Sequence, residues 1–585
     1  MPVRAGQIVA TQVAAALVVT AAGSGPLLLA AAVLAALVLV VVAWLRVRDR
    51  WLFEWLGIGM RYLGRARTLP AEADPTVLLD RVAPDAVVVP ADVSGDTAAV
   101  ISDGYGLTVV LELGDPTALL SDTLQSLPSP ASLLPAAGPD TPPTRIQLVL
   151  SAATAPAASA GAGTAASSYR QLTEGRLLSQ ERALLAVRVL RTEGWSDADL
   201  RRALSSAVRK VRRRLAPIAA RPLGERAVPG VLAELAHHDG AHPGVETWPT
   251  LRLGGLVQAS FRLRRWPDLR SETARRLVPR LLSLPTVGTT VSINAGPWPA
   301  AGDDTVPVDL TVRLAAADDA GLTAASHALR RLLAAEGAVV RRLDGEQLDG
   351  LASTLPLGVT GIGPTAPNQR PLPTAAVETL ELSIGTAGLM IGVNRHGAAV
   401  LARLFRPEAT RVMLIGGVRA AQMVALRAMA LGARVVVQTA RPLAWEPFVR
   451  GASAPGDVIA LIPPGRPVTG PPGSWLQPLL VVVDIGPVAA DPRPGPPWQA
   501  VLVVRDELTT VDVDALSRAD LVVLQPLRPA EAALAATALG LGTSAEWLTR
   551  IREDMVGVVN RRTLRWALLS STPIESQLIG PPSRY

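Results

Sequence analysis

Two adjacent glycines, Gly416 and Gly417, stand between an apolar run at 412–415 and an amphipathic stretch at 420–431. Strand, glycine turn and helix make the half-unit that cradles nucleotide phosphates on backbone N–H groups and a helix N-terminus. The fingerprint is incomplete. No third glycine follows, and the next strand, 434–437, ends in Gln438 and Thr439 where a ribose-binding acid would stand. A plain structural turn is the competing reading. Asp512 and Asp514 are the second candidate. Two carboxylates on one side of an extended segment can chelate a divalent cation, as in enzymes that use nucleotide sugars. Asp512 could equally cap a helix through 515–516. His237, His238, Asp239 and His242 form the one histidine cluster, in a segment with Gly240 and Pro243 that reads as a solvated loop. No serine stands in a convincing nucleophile elbow.

What the chain lacks narrows the chemistry further. Its 585 residues contain no cysteine, which removes disulfides, thiolate metal sites and cysteine nucleophiles. The one lysine, Lys210, lies within an arginine run, not behind a glycine loop, so a P-loop ATPase is excluded. Charged residues are 18% of the chain, against about 25% for ordinary soluble proteins. Alanine abundance and arginine in place of lysine fit a GC-rich, actinobacterial genome. The net charge of +7 is local. Residues 46–67 carry +4, residues 201–214 carry +7, and the remainder is −4. The 20 aromatic residues are too scattered for base stacking, so no nucleic-acid partner and no cofactor is expected.

The elements that must position these residues begin with an anchor. Residues 5–45 contain no charge over 41 positions, enough for two helices of about 20 residues. Gly23-Ser24-Gly25-Pro26 marks the turn, giving spans near 6–22 and 27–45. A signal peptide cleaved near Thr20-Ala21-Ala22 is the alternative for the first. Arg46, Arg48 and Arg50 follow directly, which places the rest of the chain in the cytoplasm by the positive-inside rule. Trp44, Trp51, Phe53, Trp55 and Tyr62, with Arg61, complete an aromatic-basic collar over 46–70. Such a belt anchors in the headgroup layer of the inner membrane or docks a partner's helices.

Beyond the collar, residues 71–363 read as β-rich and then α/β, with 121–168 flexible because it is rich in Pro, Ser, Ala and Gly. Strands are expected at 86–89, 98–102, 107–112, 147–150 and 184–190. Ser196 and Asp199 have capping-box spacing, and Leu200, Leu204, Val208, Val211 and Leu215 share one helical face. The opposite face is basic, with Arg201, Arg202, Arg209, Lys210, Arg212, Arg213 and Arg214, and could meet acidic lipid or a partner's acidic surface. Residues 364–375 read as a proline-rich linker. Residues 376–585 form a second α/β domain, with a hairpin at 380–393, apolar strands at 412–415, 434–437, 458–462, 480–484, 501–504 and 521–525, and a closing hairpin at 555–568. The fold class expected is a two-span transmembrane hairpin plus a cytosolic α/β region with mixed, partly parallel sheets.

Three blocks resemble the EccE family, a membrane component of the type VII (ESX) secretion system of mycobacteria and related actinobacteria. One is the double span followed by Trp51-Leu52-Phe53-Glu54-Trp55-Leu56 and Arg61-Tyr62. Another is Tyr169-Arg170-Gln171-Leu172 leading into 184–190. The most distinctive is Met390-Ile391-Gly392-Val393-Asn394-Arg395-His396-Gly397, Leu404-Phe405-Arg406-Pro407 and the Gly416-Gly417 turn through Val437. The resemblance implies a non-catalytic structural subunit beside EccB, EccC, EccD and the mycosin protease, with ATP hydrolysis belonging to EccC. It also implies a degenerate glycosyltransferase-like fold. The alternative is a membrane-tethered glycosyltransferase or nucleotide-sugar-binding enzyme using Gly416, Gly417, Asp512 and Asp514.

Overall fold

The computed structural model describes residues 5–47, 50–72, 74–115, 117–121, 123–138, 141–161, 163–299, 302–362, 371–452, 459–487, 495–561 and 563–584. Arg48 and most of the linker expected at 364–375 lie outside the described residues.

The uncharged N-terminal run forms two helices, α1 (Ala5–Ala21) and α2 (Pro26–Trp44). Pro26 opens α2, where a missing N–H costs nothing. The helices run antiparallel, with small residues Ala14, Ala36 and Ala43 buried where they meet. Two side-chain bonds fix the pairing at the collar end. Gln7 Nε2 donates to Ala43 O at 3.0 Å, and Trp44 Nε1 donates to Thr11 Oγ1 at 3.0 Å. Helix α2 is long and apolar enough to cross a membrane, with a mean hydropathy of 3.0, and α1 is shorter. Helix α3 (Leu52–Gly64) follows after a tight two-strand turn.

The body holds two large sheets. The first is antiparallel throughout and has 14 strands among the described residues. Its long strands are β1 (Val87–Val93), β2 (Asp96–Asp103), β3 (Gly106–Leu113), β4 (Thr144–Thr154), β5 (Leu178–Leu190), β6 (Leu256–Arg265), β7 (Gly288–Ala295), β8 (Thr305–Ala316) and β9 (Val339–Arg342). The order along the sheet is β6-β8-β7-β4-β5-β3-β2-β1, with β9 on β6. Strand alternation gives the faces opposite characters. Leu148, Leu150, Leu185, Val187, Val291, Ile293, Leu310 and Val312 face one apolar core, under the basic helix Asp197–Leu215. The opposite face is mixed: Gln147, Ser151, Arg182, Arg188, Thr290, Ser292, Asn294, Thr311 and Arg313 are buried there beside the apolar Val149, Leu184 and Ala186.

The second sheet is mixed. Six parallel strands, β11 (Thr410–Ile415), β12 (Arg434–Thr439), β13 (Ile459–Ile462), β14 (Leu479–Asp484), β15 (Gln499–Arg505) and β16 (Leu521–Leu524), stand in the order β13-β12-β14-β15-β11-β16. Antiparallel strands β17 (Met555–Asn560) and β18 (Thr563–Leu568) continue it, and β10 (Leu389–Val393) pairs next to β18. Mixed sheets in an α/β body are as the apolar runs predict.

Several expectations need correction. The flexible segment 121–168 is ordered where described. It holds β4, a short helix Pro130–Leu133 and the start of a helix Thr164–Thr173. Ala165 and Ala166 are buried, so the small side chains reflect close packing and not mobility. The hairpin expected at 380–393 does not form. Ser383–Ile384 pairs with Gln125–Ser126, and β10 pairs with Ala399–Ala402. The boundary at 364–375 is not clean either. Pro371–Pro373 joins the first sheet, while Leu120–Ser121 joins the second. Tyr169 donates its hydroxyl to Gly388 O at 3.2 Å and accepts from Met390 N at 3.0 Å, tying the two halves together.

Candidate functional site

The Gly416-Gly417 turn lies at the carboxyl end of β11, the edge where open α/β sheets bind ligands. Gly417 is the N-cap of the helix Val418–Ala430, with an extended backbone (φ −75°). A Cβ on Gly416 would fall 2.3 Å from Gln525 Oε1, so glycine here admits a side chain of β16's exit loop. That oxygen accepts from Gly417 N at 2.8 Å, and Gln525 Nε2 donates to Pro582 O. Ser583 O and Arg584 Cα lie 3.2 and 3.5 Å from where a Gly417 Cβ would be. The space a phosphate would occupy is therefore filled by segment 581–584. Arg584 holds that segment down. It ion-pairs with Glu531 and donates to Pro526 O at 2.7 Å, and its side chain is 2% exposed. The two glycines serve a structural turn closed by the chain itself.

Asp512 and Asp514 do not converge. Asp512 is buried and accepts from Arg505 Nε at 2.7 Å, Thr509 Oγ1 at 2.6 Å and Thr509 N at 3.0 Å. Burial pushes its carboxyl up, but the Thr509 and Arg505 hydrogen bonds outweigh this and hold it below the usual range. Asp514 is exposed and pairs with Arg518 one turn on, at 3.0 Å. No group of three or more His, Asp or Glu placed to hold a metal occurs among the described residues. The spacing read as chelation is a closed turn followed by a surface ion pair.

The collar faces inward more than outward. Arg50 is buried and pairs with Glu346, which also meets Arg61 at 3.4 Å. The Arg50 guanidinium lies 5.3 Å from the Trp55 ring centre, and Arg46 lies 5.5 Å from that of Trp51. Trp55 and Tyr62 pack on Trp248 of the body, with ring centres 6.1 and 5.2 Å away. Gly345 makes room, since a Cβ there would strike Trp248 and Ile58. Arg65, at the end of the collar segment, reaches Glu246 and meets Asp349 at 3.0 Å. Trp44 is partly exposed and bonded to Thr11, and Phe53 is half-buried. The other face of α3 presents Leu56, Met60 and Leu63 to the outside.

The basic helix Asp197–Leu215 is placed as its apolar spacing predicts. Arg212 pairs with Asp96 and Arg202 with Asp199, while Arg214 donates to Ser132 O and Leu134 O at 2.9 and 2.8 Å. Arg201, Arg209, Lys210 and Arg213 are exposed. The histidine cluster divides. His237 and His238 are buried, not solvated, and His242 pairs with Asp239 at 2.7 Å on the surface. Burial, with Arg313 nearby, pushes the His237 imidazole down to about 3.

Sequence reasoning missed the buried arginines. On the polar face of the first sheet, Gln147 Nε2 donates to Ser353 O and Leu355 O at 2.9 Å each. Arg188 Nη1 reaches Leu357 O at 3.3 Å, and Arg313 Nε reaches Thr354 Oγ1 at 2.9 Å. These side chains serve the C-terminal end of the helix Gln347–Thr354 and the loop after it, whose carbonyls have no helical partners. In the second sheet Arg427 forks Glu575 at 2.8 and 2.9 Å and donates to Met390 O and Ile391 O. Arg441 and Trp445 Nε1 both bond Asp484. The signal was arginine within largely apolar strands, Arg182 and Arg188 in 178–190 and Arg313 in 305–316.

No protein-family model and no curated protein matches the chain. Among solved structures, the cytoplasmic domain of the Thermomonospora curvata type VII secretion ATPase EccC aligns with 47% of this chain and 35% of its own length. The identity is 12% and the TM-score 0.20, too slight an overlap to carry an argument. The glycosyltransferase likeness gains no support.

Proposed function

We propose that the chain is a non-catalytic structural subunit of an inner-membrane type VII secretion complex. In this reading α1 and α2 both span the inner membrane, the body lies in the cytoplasm, and neighbours such as EccB, EccC, EccD and the mycosin protease are held beside it. The reading rests on the sequence resemblance, on the apolar α2, and on Arg46 and Arg50 following it. The observation that carries it is the seam between anchor and body. Arg50 and Arg61 on Glu346, Arg65 on Glu246 and Asp349, and Trp55 and Tyr62 on Trp248 join α3 and its flanks to the body. A seam of this kind suits a subunit whose task is to fix a body at a set place on a membrane assembly. The rival enzyme loses its two supports, because segment 581–584 covers the glycine turn and Asp512 and Asp514 are separately paired.

The test is affinity purification after mild detergent extraction. Co-purification of other secretion-membrane subunits is expected, and their complete absence would count heavily against the proposal. Glu346→Gln with Trp248→Ala, which loosens the seam and leaves α1 and α2 intact, is expected to reduce that co-purification several-fold.

A further inference from the structure

Beside the seam, the arginines outnumber the carboxylates that serve them. In the β6–β9 pair Arg262 stands opposite Arg341, so both side chains share a face, and Arg264 sits at the bulge that follows, near enough to repel Arg341. Arg262 ion-pairs with Asp309 at 3.3 Å and donates to Ser353 Oγ at 3.1 Å. Arg50 and Arg61 share Glu346. Arg264 and Arg341 make no hydrogen bond and no ion pair among the described residues, with Glu346 the nearby carboxylate that both feel and that Arg50 and Arg61 already occupy, and Arg341 Nε is buried without a partner. Desolvation, then repulsion from Arg50 and Arg264, pushes the Arg341 guanidinium down to about 9. Arg264 is exposed and Arg341 half-buried, so the pair is open to a ligand. A cationic cluster left unpaired at an accessible edge costs free energy that a bound anion would return.

The place of the cluster selects the anion. It lies against the segment that leaves α2, and the outer face of α3 exposes Leu56, Met60 and Leu63 at spacings of 4 and 3. An exposed apolar helix stripe beside unpaired arginines is the arrangement that meets a bilayer surface and its phosphates. We propose that Arg264 and Arg341, with Arg50 beside them, bind the phosphate group of an anionic membrane lipid.

The lipid as source of the phosphate rests on reading α2 as a span. Capture of a phosphate group in detergent does not, so the two readings fail separately. The full-length chain in neutral detergent, titrated with phosphatidylglycerol and with phosphatidylcholine under native mass spectrometry, tests the site. Phosphatidylglycerol is expected to be retained over phosphatidylcholine, and retention should weaken about tenfold in Arg264→Gln/Arg341→Gln, the effect of losing one charge-assisted bond. The melting temperature of that variant should stay level or rise, because it removes mutual repulsion. Undiminished retention in the variant, no retention in the native chain, or a fall of several degrees in melting temperature would each overturn the site. Displacement of the lipid by millimolar inorganic phosphate would overturn the lipid as its ligand. Capture of an acidic peptide but of no lipid would do the same.

Discussion

The two sheets both pair buried arginine with acid, but only the antiparallel one also holds arginine on neutral oxygens alone. In the parallel half three shielded guanidinium groups meet carboxylates: Arg427 meets Glu575, Arg505 meets Asp512 and Arg584 meets Glu531. On the polar face of the antiparallel half Arg182, Arg188 and Arg262 likewise meet carboxylates, but neutral oxygens hold Arg313 and Arg145. Arg313 bonds Gln258, Thr354 and Leu235 O with no acid in reach among the described residues, and burial pushes it down to about 9. Arg145, with only the carbonyls of Gly296 and Gly358, is pushed down to about 10. A carboxylate pair leaves a charge behind when one member goes, whereas an arginine on carbonyls leaves only unpaired dipoles. Charge therefore pins the parallel half, whereas the antiparallel half is held by charge at Arg182, Arg188 and Arg262 and by neutral oxygens at Arg313 and Arg145.

That contrast sets the order of expected effects. Arg427→Ala strands Glu575 in the core and should cost about 3–5 kcal/mol in denaturant unfolding of the full chain. Replacing both Arg427 and Glu575 by methionine should recover much of the loss. Acid should weaken the antiparallel half next. His237 is neutral when folded, with a pKa of about 3 against 6.5 unfolded, so its contribution is complete above pH 6.5 and is lost as pH falls towards 3. Between pH 7 and 4 that amounts to about 3 kcal/mol, and His237→Asn, which suits the left-handed backbone there, should flatten the slope. Arg313→Met should cost only about 1–3 kcal/mol. A loss as great as that of Arg427→Ala would break the distinction. Asp514→Ala, which removes an exposed pair, should change stability by about 0.5 kcal/mol or less.

The sequence made the apolar runs legible and the partners of polar residues illegible. Helices α1 and α2, the basic helix with its Ser196–Asp199 cap and the parallel strands follow from periodicity or continuous hydrophobicity. The segment 152–168 was obscured because alanine and serine have the same composition in a loop and in tight packing. Trp55 and Tyr62 were legible as an aromatic belt, but the ring they stack on, Trp248, lies far along the chain. Asp512-Val513-Asp514 shows the same limit. Spacing gave an alternating pair, and only Arg505 and Thr509 reveal that one carboxylate is already spoken for. The closure of the glycine turn by segment 581–584 had no local signal at all.

The polar face of the antiparallel sheet also bears on the order in which the chain is made. Thr108 waits for Leu357, 249 positions downstream, and Gln147 waits for Ser353, 206 downstream. Until the ribosome has passed residue 360, the helix that covers these strands does not exist, and Gln147, Arg188 and Arg313 stay hydrated. An apolar face exposed for that long would invite aggregation between nascent chains. The arginine, glutamine and serine set among Val149 and Leu184 on this face keep the half-made sheet more soluble than an all-apolar face would until its cover arrives. Stalled nascent chains ending near residue 340 should accordingly stay dispersed, and chains carrying leucine at 147, 188 and 313 should not.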